Sequence, residues 1–329
     1  MSKPDPVLSA DATSAPPGPS PTDADPNRAD HLKSLPFSAL HVAALVTPFF
    51  VGITWGDVAL CIFMYYLRMF GITAGYHRYF SHRAYKTGRI FQFILAFIGT
   101  TAMQKGVLWW AAHHRKHHKY SDQPEDIHSP VQNTLFWAHV GWILSRRYDA
   151  TDWARIQDFA KYPELRWLNK YYVLPPMFGG FLLYLYNGWA GFVWGGLVSS
   201  VLLWHGTFTI NSLSHIWGSR RYKTTDDSRN NPVLAMITMG EGWHNNHHYY
   251  QSTANQGFFW WEVDLSYYIL RLLSVFGIVW DLRTPPKHIL ENVDKSRGGR
   301  GQGAAPAPSG GAESGEPLDV ALPPINAAN

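Results

Sequence analysis

The chain has 329 residues, 46% of them hydrophobic and 15% aromatic, and a formal net charge of +4. That length allows one or two domains with a sizeable core, and no nucleic-acid partner is expected. A single cysteine, Cys61, excludes an intramolecular disulfide and a cysteine metal cluster, and reads most simply as a small hydrophobe inside a span.

In chain order, residues 1–35 form a tail whose first 30 are rich in Pro, Asp, Ala and Ser, too polar to bury the surface that ordering requires and without a signal-peptide pattern. A membrane domain is expected over 36–290. The mean hydropathy of −0.18 conceals its segregation. Between Lys33 and Arg68 the only charge is Asp57, and between Lys170 and Arg220 there is none. Each run is long enough for two spans of about 20 residues. Ile53-Thr-Trp-Gly-Asp57 turns the first run, predicting helices over 37–54 and 58–76. Tyr186-Asn-Gly-Trp-Ala190 turns the second, predicting helices over 171–187 and 190–211. All 28 Lys and Arg lie outside these turns, so the positive-inside rule places both termini and both large polar segments in the cytoplasm, a bacterial inner membrane being the expected location. Residues 291–329, rich in Gly, Ala and Pro over 296–329, form a second tail.

Histidine carries the chemistry. Nine of the 16 histidines lie in three windows beside the apolar runs: His77-Arg-Tyr-Phe-Ser-His82, His113-His-Arg-Lys-His-His118 and His244-Asn-Asn-His-His248. Neutral imidazole is a good ligand for transition metals near neutral pH. In a helix, positions i, i+3 and i+4 share one face, so His114, His117 and His118 present three rings to one point, as do His244, His247 and His248. His77 and His82 are five apart and point about 140 degrees from each other on an ideal α-helix. They therefore straddle two metals or sit across a helix end, and Tyr79-Phe-Ser after the second span favours the end. Asn211 and His215, four apart at the end of the last span, add a polar face that must look into protein or water. Nine nitrogens, from His77, His82, His114, His117, His118, His215, His244, His247 and His248, suit two ions. His113 pairs with His117 at i, i+4 and competes with His114 for the ligand role, whereas His31, His41, His205 and His288 read as surface or hydrogen-bonded core residues. Arg115, Lys116 and Lys119 interleave the second box and offer an anionic head group such as phosphate a partner.

Gly71-Ile-Thr-Ala-Gly-Tyr-His-Arg-Tyr-Phe-Ser-His82, His114-Arg-Lys-His-His-Lys-Tyr-Ser-Asp122 and Gly240-Glu-Gly-Trp-His-Asn-Asn-His-His248 resemble the three histidine boxes of the membrane acyl-CoA desaturases, the stearoyl-CoA desaturase family. The segments Gln256-Gly-Phe-Phe-Trp-Trp-Glu-Val-Asp-Leu-Ser-Tyr-Tyr268 and Trp280-Asp-Leu-Arg283 are similar to its bacterial branch. The resemblance implies an all-α integral membrane protein, with four transmembrane helices in two hairpins and a cytosolic helical cap. A di-iron centre without bridging carboxylate is implied, its ligands the same nine histidines, with Asn211 holding an iron through water. Two departures stand out: His113, where the animal enzymes have an acidic residue and which becomes a candidate partner of a ligand, and Tyr76, where they have a small residue.

The implied reaction is delta-9 desaturation of a saturated acyl-CoA or acyl-lipid to a cis alkene, with O2 as co-substrate and reduced to water. Adjacent unactivated methylenes offer no acidic proton and no leaving group, so side-chain acid–base catalysis cannot remove their hydrogens and an iron–oxygen species must. Zinc fits the same imidazoles but has no redox chemistry. The chain shows no haem or flavin domain, dinucleotide loop or iron–sulfur cysteines, so electrons come from a partner such as ferredoxin or a b-type cytochrome with its reductase. Thr73, Phe70, Met69, Tyr66 and Ile62, stacking below His77, with Cys61 deeper, are candidates to line or close an acyl tunnel. A same-scaffold lipid hydroxylase and a non-enzymatic membrane metal or haem binder are the alternatives. A metal-dependent hydrolase is disfavoured, because no glutamate stands in an H-E-x-x-H arrangement.

Overall fold

The computed structural model describes residues 30–292, so the tails expected over 1–35 and 291–329 lie mostly outside the described residues. The described chain is mostly helical. Three helical stretches are long and apolar enough to cross a membrane: Ser34–Val51, Trp55–Ser81 and Leu174–His215. The first comprises α1 (His31–Val46) and α2 (Pro48–Val51), and α1 starts ahead of the expected residue 37, with Pro36 inside the helix.

α3 (Trp55–Phe70) begins earlier than expected because Asp57 belongs to the helix and not to the turn. Thr54 Oγ1 accepts the Asp57 amide at 3.2 Å, while Asp57 accepts the Thr54 amide at 2.9 Å, a reciprocal capping box. The helix also ends later than expected. It continues as a wide π-helical segment over Gly71–Ser81, marked by the bond from the His82 amide to the His77 carbonyl at 3.2 Å. Every residue of that segment is buried. Gly71 makes this possible, since a Cβ there would lie 2.5 Å from the Gly99 nitrogen of the next helix.

A short strand, β1 (Lys86–Thr87), leads to α4 (Arg89–Thr100) and α5 (Val107–Tyr120), the helix that carries the second histidine box. A π-helical turn over Trp137–Gly141, then α6 (Trp142–Leu144), α7 (Gln157–Ala160) and α8 (Pro163–Lys170) wrap around α5. The long apolar stretch follows as α9 (Leu174–Ala190), a wide segment over Gly191–Val198 and α10 (Ser199–Ser212). Its helical path breaks at Asn187 (φ −145°, ψ 34°) and Gly188 (φ 56°, ψ −145°), beside the expected turn. Beyond the break Phe192 lies against Gly180, and Gly191 and Gly195 lie against Leu183. The two breaks also meet, since Asn187 Nδ2 donates to Asp57 Oδ1 at 3.0 Å and Trp194 Nε1 to the Gly52 carbonyl at 2.8 Å. Arg68, a charge inside an apolar stretch, is buried with its guanidinium on Ser199 Oγ and Ser200 Oγ at 2.9 and 2.8 Å.

The chain closes with α11 (Pro232–Ile237), α12 (His244–Tyr249) and α13 (Leu265–Val275), then β2 (Val279–Trp280), paired antiparallel with β1, and α14 (Lys287–Glu291). One core built from Met69, Tyr76, Phe80, Leu95, Leu108, Leu165 and Trp204 runs from the apolar helices into the polar layer. The histidine boxes therefore sit on a continuous packed base.

Candidate metal centre

Four elements meet at the end of the apolar helices. The π-helical segment contributes His77 and its C-cap His82, α5 contributes His114, His117 and His118, the turn Leu213–His215 after α10 contributes His215, and α12 contributes His244, His247 and His248. Their ring nitrogens form two groups, each with its ligand atoms within 4.8 Å of one another: His77, His82, His114, His118 and His247 in one, and His117, His215, His244 and His248 in the other. The H-x-x-H-H boxes do not each serve one point, as their spacing suggested. His117 separates from His114 and His118, and His247 separates from His244 and His248, so each box feeds both groups. His77 and His82 likewise share one group, their ring centroids 4.9 Å apart. An i→i+5 ladder brings residues five apart back toward one face, which the α-helical projection did not anticipate.

In the first group the Nε2 atoms of His82, His114, His118 and His247 follow one another at 2.9–3.0 Å. In the second, His117 Nε2 and His248 Nε2 are buried without any hydrogen-bond partner. Nitrogens crowded together or left alone in this way are costly unless a cation takes their lone pairs. The donor set is wholly imidazole, which suits iron, copper, nickel or zinc and not calcium or magnesium. The residues fit a pair of transition-metal ions.

Carboxylates fix the rings from behind. Asp126 Oδ1 lies 2.9 Å from His117 Nδ1, Asp122 Oδ2 lies 2.8 Å from His215 Nδ1 and Asp226 Oδ2 lies 2.6 Å from His248 Nδ1, while Glu241 touches His77 Nδ1. A carboxylate at Nδ1 keeps hydrogen there and leaves Nε2 as the ligand atom. Burial alone would raise the Glu241 carboxyl, but His77 and the buried Arg78, 3.0 Å away, hold it below its ordinary value. Asp126 and Asp226 are likewise held low against burial, by His117 and His248 respectively. Burial first, and neighbouring histidines second, push His82, His114, His118, His244 and His247 well below the ordinary 6.5, so these rings stay neutral and keep their lone pairs.

Sequence reasoning missed these carboxylates, although Asp122 and Glu241 lie inside the quoted motifs and Asp126 only four residues beyond one. It also missed His128, buried with its ring centroid 4.3 Å from that of His117 and its Nδ1 unpartnered. Asp226, 18 residues from the third box, had no local signal. The asparagines inside that box are structural: Asn245 Oδ1 accepts the Arg221 and Tyr222 amides at 2.8 and 2.7 Å, and Asn246 Nδ2 donates to Glu262 at 2.9 Å.

Other expected residues sit as follows. His113 belongs to neither group. It stacks on Trp109 at 4.4 Å and lies 2.9 Å from that residue's carbonyl, and burial pushes its pKa down to about 4. Tyr76 turns away to Thr100 Oγ1 at 2.8 Å and packs on Gly99, where a Cβ would come within 2.5 Å of its ring. Asn211 is half-buried, four residues before His215. Among the tunnel candidates Cys61, Met69 and Thr73 are buried, with Thr73 Oγ1 2.6 Å from Ser266 Oγ, and Tyr66 and Phe70 are half-buried. Ile62 is 53% exposed on the outer surface of α3. Arg115 is engaged with Asp158 and the Phe80 and Ser81 carbonyls at 2.7–3.0 Å, and so buttresses the end of the π-helical segment instead of facing a head group.

The family model for fatty acid desaturases matches residues 53–276, the span that contains every ligand candidate, and the chain belongs to that family. It is an oxidoreductase. Over 264 residues it is 35% identical to the acyl-CoA C20 delta-5-desaturase of Anemone leveillei, covering 79% of this chain and 83% of that protein. Over 255 residues it is 34% identical to the sn-2 palmitoyl-lipid 9-desaturase of a Nostoc species, covering 76% and 89%. Identity to delta-9 acyl-lipid desaturase 1 of Arabidopsis thaliana is 35% over 262 residues, covering 78% and 85%.

Proposed function

We propose that this protein is an O2-dependent fatty acyl desaturase that inserts a cis double bond at the delta-9 position of a saturated acyl-CoA or acyl-lipid, with two irons held by the nine histidines. The observation that carries the reading is the pair of buried imidazole groups backed by carboxylates at Nδ1, set at the ends of apolar helices. Iron bound there supplies the redox chemistry with O2 that unactivated C–H bonds require. The chain's own residues bind and orient. Asp122, Asp126, Asp226 and Glu241 hold four rings in their ligating tautomer, and Arg78, between Glu241 and Asp264, anchors that frame. Trp110, stacked on His114 at 4.9 Å and 5.8 Å from Tyr76, walls one side of the site.

The proposed topology has four crossings in two hairpins, both termini and the metal centre being cytoplasmic in a bacterial inner membrane. Its support is the pair of breaks at 52–54 and 187–188 and the exposed Phe49, Phe50, Trp55, Tyr186 and Trp189 around them, an aromatic belt at the opposite interface. A cavity of about 650 Å³ at the start of α5 is lined by Lys105 and Arg146, each paired with a carboxylate, Lys105 with Asp149 at 2.7 Å and Arg146 with Asp30. Electrons come from a partner such as ferredoxin or a b-type cytochrome with its reductase.

Expression in a desaturase-deficient host, with mass spectrometric placement of double bonds, tests the reading. A delta-9 cis alkene is the expected product. A hydroxy fatty acid would favour the hydroxylase, and an unaltered lipid profile at normal iron content would remove the enzyme reading. Purified enzyme offered acyl-CoA and phospholipid separately then distinguishes the two head groups.

A further inference from the structure

The two histidine groups are not backed alike. In the group of four, three rings have a carboxylate at Nδ1: Asp126 behind His117, Asp122 behind His215 and Asp226 behind His248, at 2.6–2.9 Å. Among the described residues, His77 alone in the group of five has one, Glu241. His118 Nδ1 and His247 Nδ1 in that group are buried with no hydrogen-bond partner.

Charge widens the difference. Glu241 is paired with the buried Arg78 at 3.0 Å, and Arg78 also holds Asp264 at 2.9 Å, so the backing of the five-histidine group carries one net negative charge. None of the three aspartates behind the other group meets a Lys or Arg among the described residues. Asp122 accepts the Ser129 hydroxyl at 2.6 Å and the Asp227 amide at 2.8 Å, Asp126 the Asp122 amide at 2.9 Å and Asp226 the Ser228 amide at 3.1 Å. Arg220 reaches the Asp226 carbonyl and not its carboxylate, and is paired with Asp227 at 2.7 Å. The aspartate side chains are at most 6% exposed, so water and salt screen their three charges little.

This asymmetry acts on any redox-active ion the groups hold. A carboxylate that accepts Nδ1–H makes Nε2 a stronger electron donor. Net negative charge and hydrogen bonds around an iron centre set its reduction potential, anions favouring the ferric ion over the ferrous. At an effective dielectric of about 20, unit charges about 8 Å apart still shift an equilibrium by more than about tenfold.

We propose that Asp122, Asp126 and Asp226 make the four-histidine group the harder of the two to reduce, so that the five-histidine group takes the first electron from the donor protein. The inference rests on the reading of the site as a pair of irons in a desaturase. Electrons arrive singly: one reduced donor converts ferric to ferrous iron in the five-histidine group and leaves oxidised by one electron, and a second does the same in the four-histidine group. The aspartate-backed group therefore sets the potential that a donor protein must have.

The test uses the full-length protein in lipid nanodiscs, loaded with excess 57Fe and reduced without O2 in steps of potential, with Mössbauer spectra counting ferric and ferrous ions at each step. Wild type should reduce in two equal steps. Repulsion between neighbouring ions also splits a titration, so variants assign the steps. Asp226→Asn and Asp126→Asn should each raise the lower potential by at least the 59 mV that corresponds to a tenfold change for one electron, and leave the upper in place. Asp226→Glu, which keeps the charge, should restore the lower step, and Glu241→Gln should move the upper one alone. A variant that retains a single iron should have lost the lower step. One wild-type step, or a shift or loss of the upper step in Asp226→Asn, overturns the inference. Protein that shows the two assigned steps but makes no alkene counts against the desaturase reading and leaves the inequality of the two groups standing.

Discussion

At the scale of residues, tautomer control separates a metal centre from a crowd of histidines. His118→Ala and His247→Ala each remove a nitrogen from the five-membered group and should abolish alkene formation with loss of bound iron, whereas His288→Ala, on an exposed helix face, should leave both unchanged. Retained activity in both ligand variants would show the site misread. Asp226→Asn keeps the shape but frees His248 from its fixed tautomer, and should weaken iron binding by about 10- to 100-fold in a chelator titration. Protons act on the same rings. Five ligand histidines have folded pKa values well below 6.5. Below that value the unfolded chain binds protons that the folded chain refuses, so this contribution favours unfolding as pH falls. His117, raised by Asp126 against burial, works in the opposite sense but is one ring against five. The thermal midpoint of metal-free protein should therefore drop between about pH 7 and pH 5, and a flat profile would show the rings not buried neutral.

Among the elements, the π-helical segment and its glycine crossing are what let His77 and His82 reach one metal. Gly99 has no space for a Cβ, which would lie 2.5 Å from the Tyr76 ring and 3.0 Å from the Gly71 carbonyl. Gly99→Ala should cost about 1–3 kcal/mol in stability by overpacking, and should lower iron content by displacing the segment that carries both ligands. Denaturant unfolding and metal analysis of one preparation check both effects. The second helix also separates the tunnel candidates. Cys61 is buried and Ile62 faces outward, so Cys61→Phe should shorten the preferred acyl chain while Ile62→Phe leaves it alone. An unchanged profile in Cys61→Phe would mean that no tunnel reaches that turn.

Over the whole molecule, the apolar helical stretches and the polar layer that carries the histidines divide the tasks. The uncharged stretches were legible as helices long and apolar enough to cross a membrane, because runs of that length without charge have few uses in water. Their ends were not, since Asp57 looked like a turn residue until its capping box with Thr54 was seen, and His82, expected across a helix end and found as the C-cap, stands at the end of a widened segment that the α-helical projection did not contain. The histidines of the candidate site were legible because they cluster in sequence. Their division between two groups was not, because periodicity describes one helix and the division is made by the meeting of four elements.

Three boxes of histidine beside charge-free runs were enough, by themselves, to point to a multi-histidine metal site beside long apolar helices, while the redox reaction was implied by the resemblance those boxes carry and not by their spacing. Ligand type and apolar length are written residue by residue, and both survive any arrangement of the helices. Only the tertiary structure decided which nitrogens face which neighbours. It assigned His117 and His247 away from the other histidines of their boxes, set Asp226 behind His248 across 22 residues of chain, and placed His113 against Trp109 instead of among the ligands. Contacts between distant segments have no local signature, because they depend on how whole elements pack and not on the spacing within any one of them.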